Sequence, residues 1–366
     1  MVDELPVLPR WNGGCVADLV PQLFGPEDRQ GPLPREVTEA NAIVLVVIDG
    51  LGWHQLQQHV AYAPTLAGMF GGPITTVAPS TTSAALTSIS TGLAPGVHGV
   101  VGYRIDVGGE NLNCLSWRTP GGDARDHIPP ENFQPHEPFR GERPVVVQNA
   151  PFRSSGFTRA HLSGVRQRNW RTLPTLPVEV RRAVASGEPF VYAYYDGIDK
   201  IAHEFGFGEH YEAELRAVDA MIAELMMSLP RGTAVVVTAD HGLVDCAGGR
   251  TELADEVRRL TDRQSGEGRF RWLHAEPGQA SALFAAAEEH HGDRAWVVER
   301  DRTVADCWFG PTVGEAAHRR LGEVALVARD GWYFVDPSDA TPDWLVGRHG
   351  SLTPDEMHVP LLSFWS

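Results

Sequence analysis

The sequence predicts an α/β fold with a mostly parallel central sheet, and three observations carry that expectation. Ile43–Ile48 (IVLVVI), Phe190–Tyr195 (FVYAYY) and Ala234–Thr238 (AVVVT) are apolar runs of strand length. Continuous runs of this kind mark strands of a parallel sheet buried on both faces. Each leads into acids or imidazoles: Asp49-Gly50, then Asp196-Gly197-Ile198-Asp199 with His203 beyond, then Asp240-His241-Gly242. Between them lie helical patterns, the clearest over Tyr211–Leu229, where Tyr211, Leu215, Val218, Ile222 and Leu225 share one stripe. In such sheets the functional crevice lies beyond the carboxyl ends of the strands.

The elements follow in order. Residues 1–40 are rich in proline and glycine and are expected to wrap the domain as an irregular leader. Residues 41–366 then form one domain. Its first strand delivers Asp49, helix-compatible spacing covers 53–70, and Pro73–Val77 is a short extended run. Ala78–Gly92 (APSTTSAALTSISTG) predicts a helix with a Ser/Thr-rich start and a glycine stop. Residues 104–144 carry Gly, Pro, Asp and Asn throughout, which suits a loop-like insertion over the face where the acids collect. Val145–Gln148 is a further short strand. Residues 250–340 mix charges with short apolar runs, as a second insertion or the far edge of the sheet would. No internal repeat is evident.

Composition narrows the function. Of 366 residues 42% are hydrophobic, enough for a full core. The net charge of −16 argues against a nucleic-acid polymer as partner, because backbone binding needs a basic face. It leaves room for a phosphorylated small molecule, since bound cations reverse the local field. Cys15, Cys114, Cys246 and Cys307 are far apart and form no CxxC pair, as expected of reduced thiols. The first residues lack the pattern of a signal peptide, and no apolar stretch approaches a membrane span of ~20 residues. A cytoplasmic protein with no membrane partner is the expectation; nothing in the pattern specifies an oligomeric state.

Carboxylates and imidazoles gathered beyond strand ends are what a divalent metal centre requires. Asp199 and His203 are four apart, so on a helix both project from one face and can share an ion. That spacing favours Asp199 over Asp196. Burying Asp240 and His241 at a strand end is costly unless they are paired or metal-bound. Each piece alone also has an ordinary use: DxxxH occurs on solvated helices, Asp-Gly closes turns, and Ser/Thr caps helices. Thr81 and Thr82 both offer a hydroxyl at the helix start, where free N–H groups and the dipole favour a phosphate. His349 and His358 lie in the C-terminal run GRHGSLTPDEMHVPLL.

Five blocks together resemble the alkaline phosphatase superfamily, and within it the type I phosphodiesterase/nucleotide pyrophosphatase family. They are VLVVIDGLG, APSTTSAALTSISTGLAPGVHGV, YYDGIDKIAHEFG, VVVTADHGL and GRHGSLTPDEMHVPLL, spread from residue 43 to residue 362. The segments between them, roughly 104–185 and 250–340, match much less well. The resemblance implies an alkaline phosphatase-like three-layer sandwich with inserted loops or a small cap. It implies hydrolysis of phosphodiester or pyrophosphate bonds on nucleotide-like substrates at two divalent ions, usually zinc, with manganese or iron also suited to such ligands. One ion would be held by Asp49, Thr82, Asp240 and His241, the other by Asp199, His203 and His349. Thr82 would be the nucleophile and form a covalent phospho-threonine. Many members carry an asparagine a few residues after the His-Gly that follows the nucleophile helix, and it contacts a phosphoryl oxygen. Tyr103 stands there in this chain, and its phenol can donate the same bond. Related branches give the alternatives, a phosphomonoesterase or a phosphonate hydrolase of the phosphonoacetate type.

Overall fold

The computed structural model describes residues 5–25, 31–337 and 344–365. Residues 1–4 and 26–30 of the expected leader, and 338–340 of the second insertion, lie outside the described residues. The main sheet has seven strands: β1 (Ala42–Ile48), β2 (Phe70–Thr75), β3 (Val145–Asn149), β4 (Arg166–Trp170), β5 (Phe190–Tyr195), β6 (Thr233–Thr238) and β7 (His358–Trp365). Their order is β2-β7-β6-β1-β5-β3-β4. β7 runs antiparallel to β6 and β2, and the other neighbours pair in parallel. All residues of β1, β5 and β6 are buried, so both faces of the sheet are covered and the fold has three layers.

Four helices matter for the site: α1 (Thr82–Thr91), α2 (Leu176–Ala185), α3 (Gly197–Phe205) and α4 (Glu209–Ser228). α2 and α4 pack on each other, and α2 also lies on β3, β4 and β5. The stripe expected on α4 is buried at all five positions. α1 ends at Gly92 in the left-handed conformation (φ 69°), which glycine adopts without steric cost.

Register explains the crevice. Val47 pairs with both Thr238 and Tyr194. Two residues further on, Asp49, Asp240 and Asp196 therefore arrive at the same level. Backbone bonds stitch this level together: Asp49 N–H donates to Tyr195 O at 2.8 Å, and Asp199 N–H donates to Asp49 O at 3.1 Å.

Residues 104–144, expected to be loop-like, contain a small antiparallel sheet of Arg104–Val107, Glu110–Asn113, Arg118–Thr119 and Gly122–Asp123. Its first turn places Gly108 and Gly109 at φ 65° and 95°, the conformation tight hairpins demand at both central positions. Residues 250–340 hold a separate antiparallel sheet, ordered Thr261–Gly266, Phe270–Ala275, Val324–Ala328, Ala295–Glu299. The edges of the main sheet are β2 and β4, so this segment is an insertion. Phe270 and Trp272 face the main core, while Leu273 joins the helix Ala280–His291 in a core of its own.

Candidate active site

Thr82 opens α1 directly after Thr81, whose backbone is extended. The rest of the helix is buried, and its hydroxyls are satisfied internally. Ser83 donates to Gly102 O, Thr87 to Ser83 O and Thr91 to Thr87 O, each at 2.7 Å. Thr82 instead turns to the crevice, with Oγ1 3.1 Å from Nε2 of His241.

Six further side chains converge there. Nε2 of His241 lies 3.4 Å from Asp49 Oδ1 and 3.5 Å from Asp240 Oδ2. Nε2 of His203 is 3.2 Å, and that of His349 3.9 Å, from Asp199 Oδ1. The rings of His241 and His349 stack with centroids 3.6 Å apart. Asp49, Asp240 and His241 bring their ligand atoms within 4.8 Å of one another, and so do Asp199, His241 and His349. His203 stands outside that second triplet and touches it through Asp199.

Three carbonyls set the tautomers. The Nδ1 protons of His203, His241 and His349 go to Gly347 O, Gly242 O and Ser80 O at 2.7, 3.1 and 2.9 Å. Each Nε2 lone pair is thereby aimed inward. Burial pushes the imidazoles of His241 and His349 down, so both are neutral. Burial, then the mutual repulsion of Asp49, Asp199 and Asp240, raises the carboxyl of Asp49. Burial also raises those of Asp199 and Asp240, against the pull of His203 and His241.

This donor set fits divalent ions. Asp49 Oδ1, Asp199 Oδ1 and Asp240 Oδ2 are buried without a hydrogen-bond partner. They face the Nε2 atoms of His203, His241 and His349, so acceptor oxygens and ring nitrogens crowd together there. Such an arrangement is costly in a protein interior and is relieved by cations. Mixed carboxylate and imidazole ligands suit zinc, and also manganese or iron.

The model of the family described as type I phosphodiesterase/nucleotide pyrophosphatase matches residues 43–113 and 106–352. The chain belongs to this family. Membership makes it a hydrolase of phosphoesters, in a family that is typically dependent on divalent metals. Among solved structures, murine ectonucleotide pyrophosphatase/phosphodiesterase 5 is similar at 17% identity over 89% of this chain and 88% of that one, with a TM-score of 0.65. An inactive variant of the murine protein is known in complex with AMP. Phosphonoacetate hydrolase from Sinorhizobium meliloti, in complex with phosphonoformate, is similar at 18% identity over 89% of this chain and 90% of that one, also at 0.65. At these identities the likeness establishes the fold. No curated protein matches the chain.

Two recesses flank Thr82 in this member of the phosphodiesterase family. One, of about 360 Å³, is lined by Tyr103, Arg104, Asn113, His203, Glu267 and His349 among others. Tyr103 Oη accepts from Asn113 Nδ2 at 2.7 Å. Glu267 comes from the second insertion, and burial lifts its carboxyl to about 8. The other recess, of about 240 Å³, reaches Phe152, Phe157, Gln148 and Tyr192.

Neither Asn113, Glu267, Gln148 nor Tyr194, which donates to Asp49 Oδ2, was marked by a motif. Only Tyr194 left a local signal, in the alternating Tyr192 and Tyr194 of FVYAYY. Trp117 is fully buried and donates to Ile128 O at 2.8 Å. His358 pairs with His54 at 3.1 Å, apart from the cluster. Asp196 pairs with Lys200 at the mouth of the smaller recess.

Proposed function

We propose that this protein hydrolyses phosphodiester or pyrophosphate bonds of small, nucleotide-like substrates through a covalent phospho-threonine. The observation that carries this is Thr82 Oγ1, at the start of a buried helix, beside three partnerless carboxylate oxygens. Asp49, Thr82, Asp240 and His241 would hold one ion, and Asp199, His203 and His349 the other. Two such ions, zinc by donor chemistry, would make the Thr82 hydroxyl acidic and offset charge on the attacking and leaving oxygens.

The chain's own residues do the rest. Thr82 Oγ1 forms a bond to phosphorus as the bond to the leaving oxygen breaks. Water then attacks phosphorus from the vacated side and frees Thr82. Two in-line displacements give net retention at phosphorus. The backbone N–H groups at the start of α1 and the positive end of its dipole favour the anionic phosphoryl group. Tyr103, held by Asn113, offers a phenol where a phosphoryl oxygen would rest. The larger recess, lined by Arg104, His203 and His349, offers room for a portion of the substrate beside Thr82.

The equal likeness to phosphonoacetate hydrolase supports a second reading, hydrolysis of a phosphonate or a phosphomonoester. Comparing kcat/KM for p-nitrophenyl phosphate, bis-p-nitrophenyl phosphate and phosphonoacetate decides between them. The diester is expected to be the best substrate; preference for either other compound would overturn the diesterase reading.

A further inference from the structure

Ser80, two residues before Thr82, is completely buried. The Ser/Thr-rich lead into α1 suggests helix capping, yet Thr81 stands at the cap position without a side-chain cap bond. The hydroxyl of Ser80 is used across the fold instead. All of its hydrogen-bonding groups engage three consecutive residues of the C-terminal run. Ser80 N–H donates to Gly350 O at 3.2 Å. Its carbonyl takes the Nδ1 proton of His349 at 2.9 Å. Its Oγ accepts from Gly350 N–H at 3.1 Å and donates to Ser351 O at 2.6 Å. The two segments meet as one antiparallel bridge between Ser80 and Gly350. Serine suits this place because a hydroxyl donates and accepts at once.

The segment that Ser80 grips has little freedom of its own. Gly350 sits at φ 123°, and a Cβ there would come to 2.7 Å from Cδ of Glu267. Ser351 N–H donates to Glu356 Oε1 at 2.9 Å, and Ser351 Oγ to Ala328 O at 2.5 Å. The second insertion therefore holds one side of the His349 turn, and Ser80 holds the other. Across this joint the rings of His349 and His241 stack, and His241 faces Thr82. One residue thus ties the threonine of one proposed ligand set to a histidine of the other.

We infer that Ser80 is a positioning residue whose hydroxyl fixes the His349 turn against the lead into α1 and keeps Thr82 in register with Asp199, His203 and His349. The inference rests on those residues serving as ion ligands, as proposed above. Without the hydroxyl, Gly350 N–H and Ser351 O lose their partner in a buried joint, and His349 keeps only its ring bond to the Ser80 carbonyl. Loss of such an outer partner of a metal ligand costs about 10–100-fold in affinity or activity.

The test compares the parent with Ser80→Ala, and with Ser90→Ala as a control. Ser90 is an equally buried hydroxyl on α1 that bonds within its own helix. Zinc is titrated into the stripped proteins by calorimetry. In Ser80→Ala the ion at Asp199, His203 and His349 is expected to bind about tenfold more weakly or worse. The ion at Asp49, Asp240 and His241 should change less, and the control should match the parent at both. On bis-p-nitrophenyl phosphate, kcat should fall with KM little changed, since misplacing a reacting group by ~1 Å costs on the order of a hundredfold. Equal weakening of both ions, or none, overturns the inference. Should Ser80→Ala not fold, Ser80→Cys carries the same comparison, because a thiol is a weak donor and acceptor. The Nδ1 proton resonance of His349, assigned by its loss in His349→Gln, reads the joint without metal. It should be sharp in the parent and control, and shifted or broadened in the Ser80 variant; an unchanged resonance also overturns the inference. If the parent takes up no zinc, the metal reading falls, and this resonance alone decides the role of Ser80.

Discussion

Thr82 Oγ1 lies 3.1 Å from Nε2 of His241, and the proton it donates there is the one a nucleophile must lose. Because Gly242 O holds the other ring proton, His241 can only accept at Nε2. Thr82→Ala is expected to lower kcat on bis-p-nitrophenyl phosphate by several orders of magnitude. Thr82→Ser, which keeps the oxygen, should retain measurable turnover. Metal content of the Ala variant, read by elemental analysis, should stay near that of the parent. Full activity in Thr82→Ala would remove the threonine from the mechanism.

The two ligand sets predict different stoichiometries. His203→Ala and His349→Ala are each expected to lose about one ion per chain, and Asp240→Asn the other. Chelation should abolish activity and lower the Tm, since each ion held at a thousandfold excess over its Kd contributes about 4 kcal/mol. The pH dependence has a sign. Without cations, the carboxyls of Asp49, Asp199 and Asp240 are raised by burial. A raised carboxyl favours the fold below the ordinary carboxylate range, and that contribution is lost as pH rises through the folded value. The Tm gap between loaded and stripped protein should therefore widen from pH 4 towards neutrality. A constant gap, measured by calorimetry, would contradict this.

How much of this was legible depends on how local each signal is. β1, β5 and β6 declare themselves because burial on both faces forces continuous apolar runs, and their terminal acids follow at once. The four-residue spacing singles out Asp199, and on α3 its Oδ1 does come to 3.2 Å from His203 Nε2, while register brings Asp196 to the same level as Asp49. Gln148 and Asn113 were silent, since nothing in their neighbourhood distinguishes them from loop or strand-end amides. The second insertion was ambiguous for a physical reason. Thr261–Gly266 (TDRQSG) has no apolar alternation, and the next strand buries Arg271 beside the equally buried Arg269. Buried arginines break the pattern that marks a strand, and they are tolerated here because distant groups satisfy them.

Arg269 shows where that satisfaction leads. Its Nε and Nη2 meet the Glu356 carboxylate at 3.0 and 2.7 Å, and both side chains are nearly inaccessible. Glu356 also accepts from Ser351 N–H and Thr353 Oγ1 at 2.9 and 2.6 Å. The insertion thus pins the turn that carries His349. Arg269→Met is expected to cost about 3–5 kcal/mol, because it strands a buried carboxylate. The double variant Arg269→Met, Glu356→Met should recover part of that loss, and urea unfolding of the three proteins measures it. Additive losses would show that the two residues act independently.

Glu267, which is not among the proposed ligands, gives a further pH prediction. Burial raises its carboxyl from 4.5 to about 8, against the lowering effects of Thr81, Arg271 and Arg104. It is therefore protonated near neutral pH in the folded protein. A group with a raised folded pKa supports the fold fully below its unfolded value and loses that support as pH rises through the folded one. Stability of the parent protein should fall between pH 5 and pH 8 through this residue and flatten above that range. Glu267→Gln keeps the shape without the titration, so its unfolding free energy should fall less steeply over the same range. Parallel slopes for parent and variant in chemical unfolding would show that Glu267 is ionised throughout. A proton held there also bears on the larger recess, which Glu267 lines, because a neutral Glu267 does not repel an anionic leaving group. The variant should then change KM for a charged leaving group little at pH 7 and lower it at pH 9, where the parent carboxylate repels the anion.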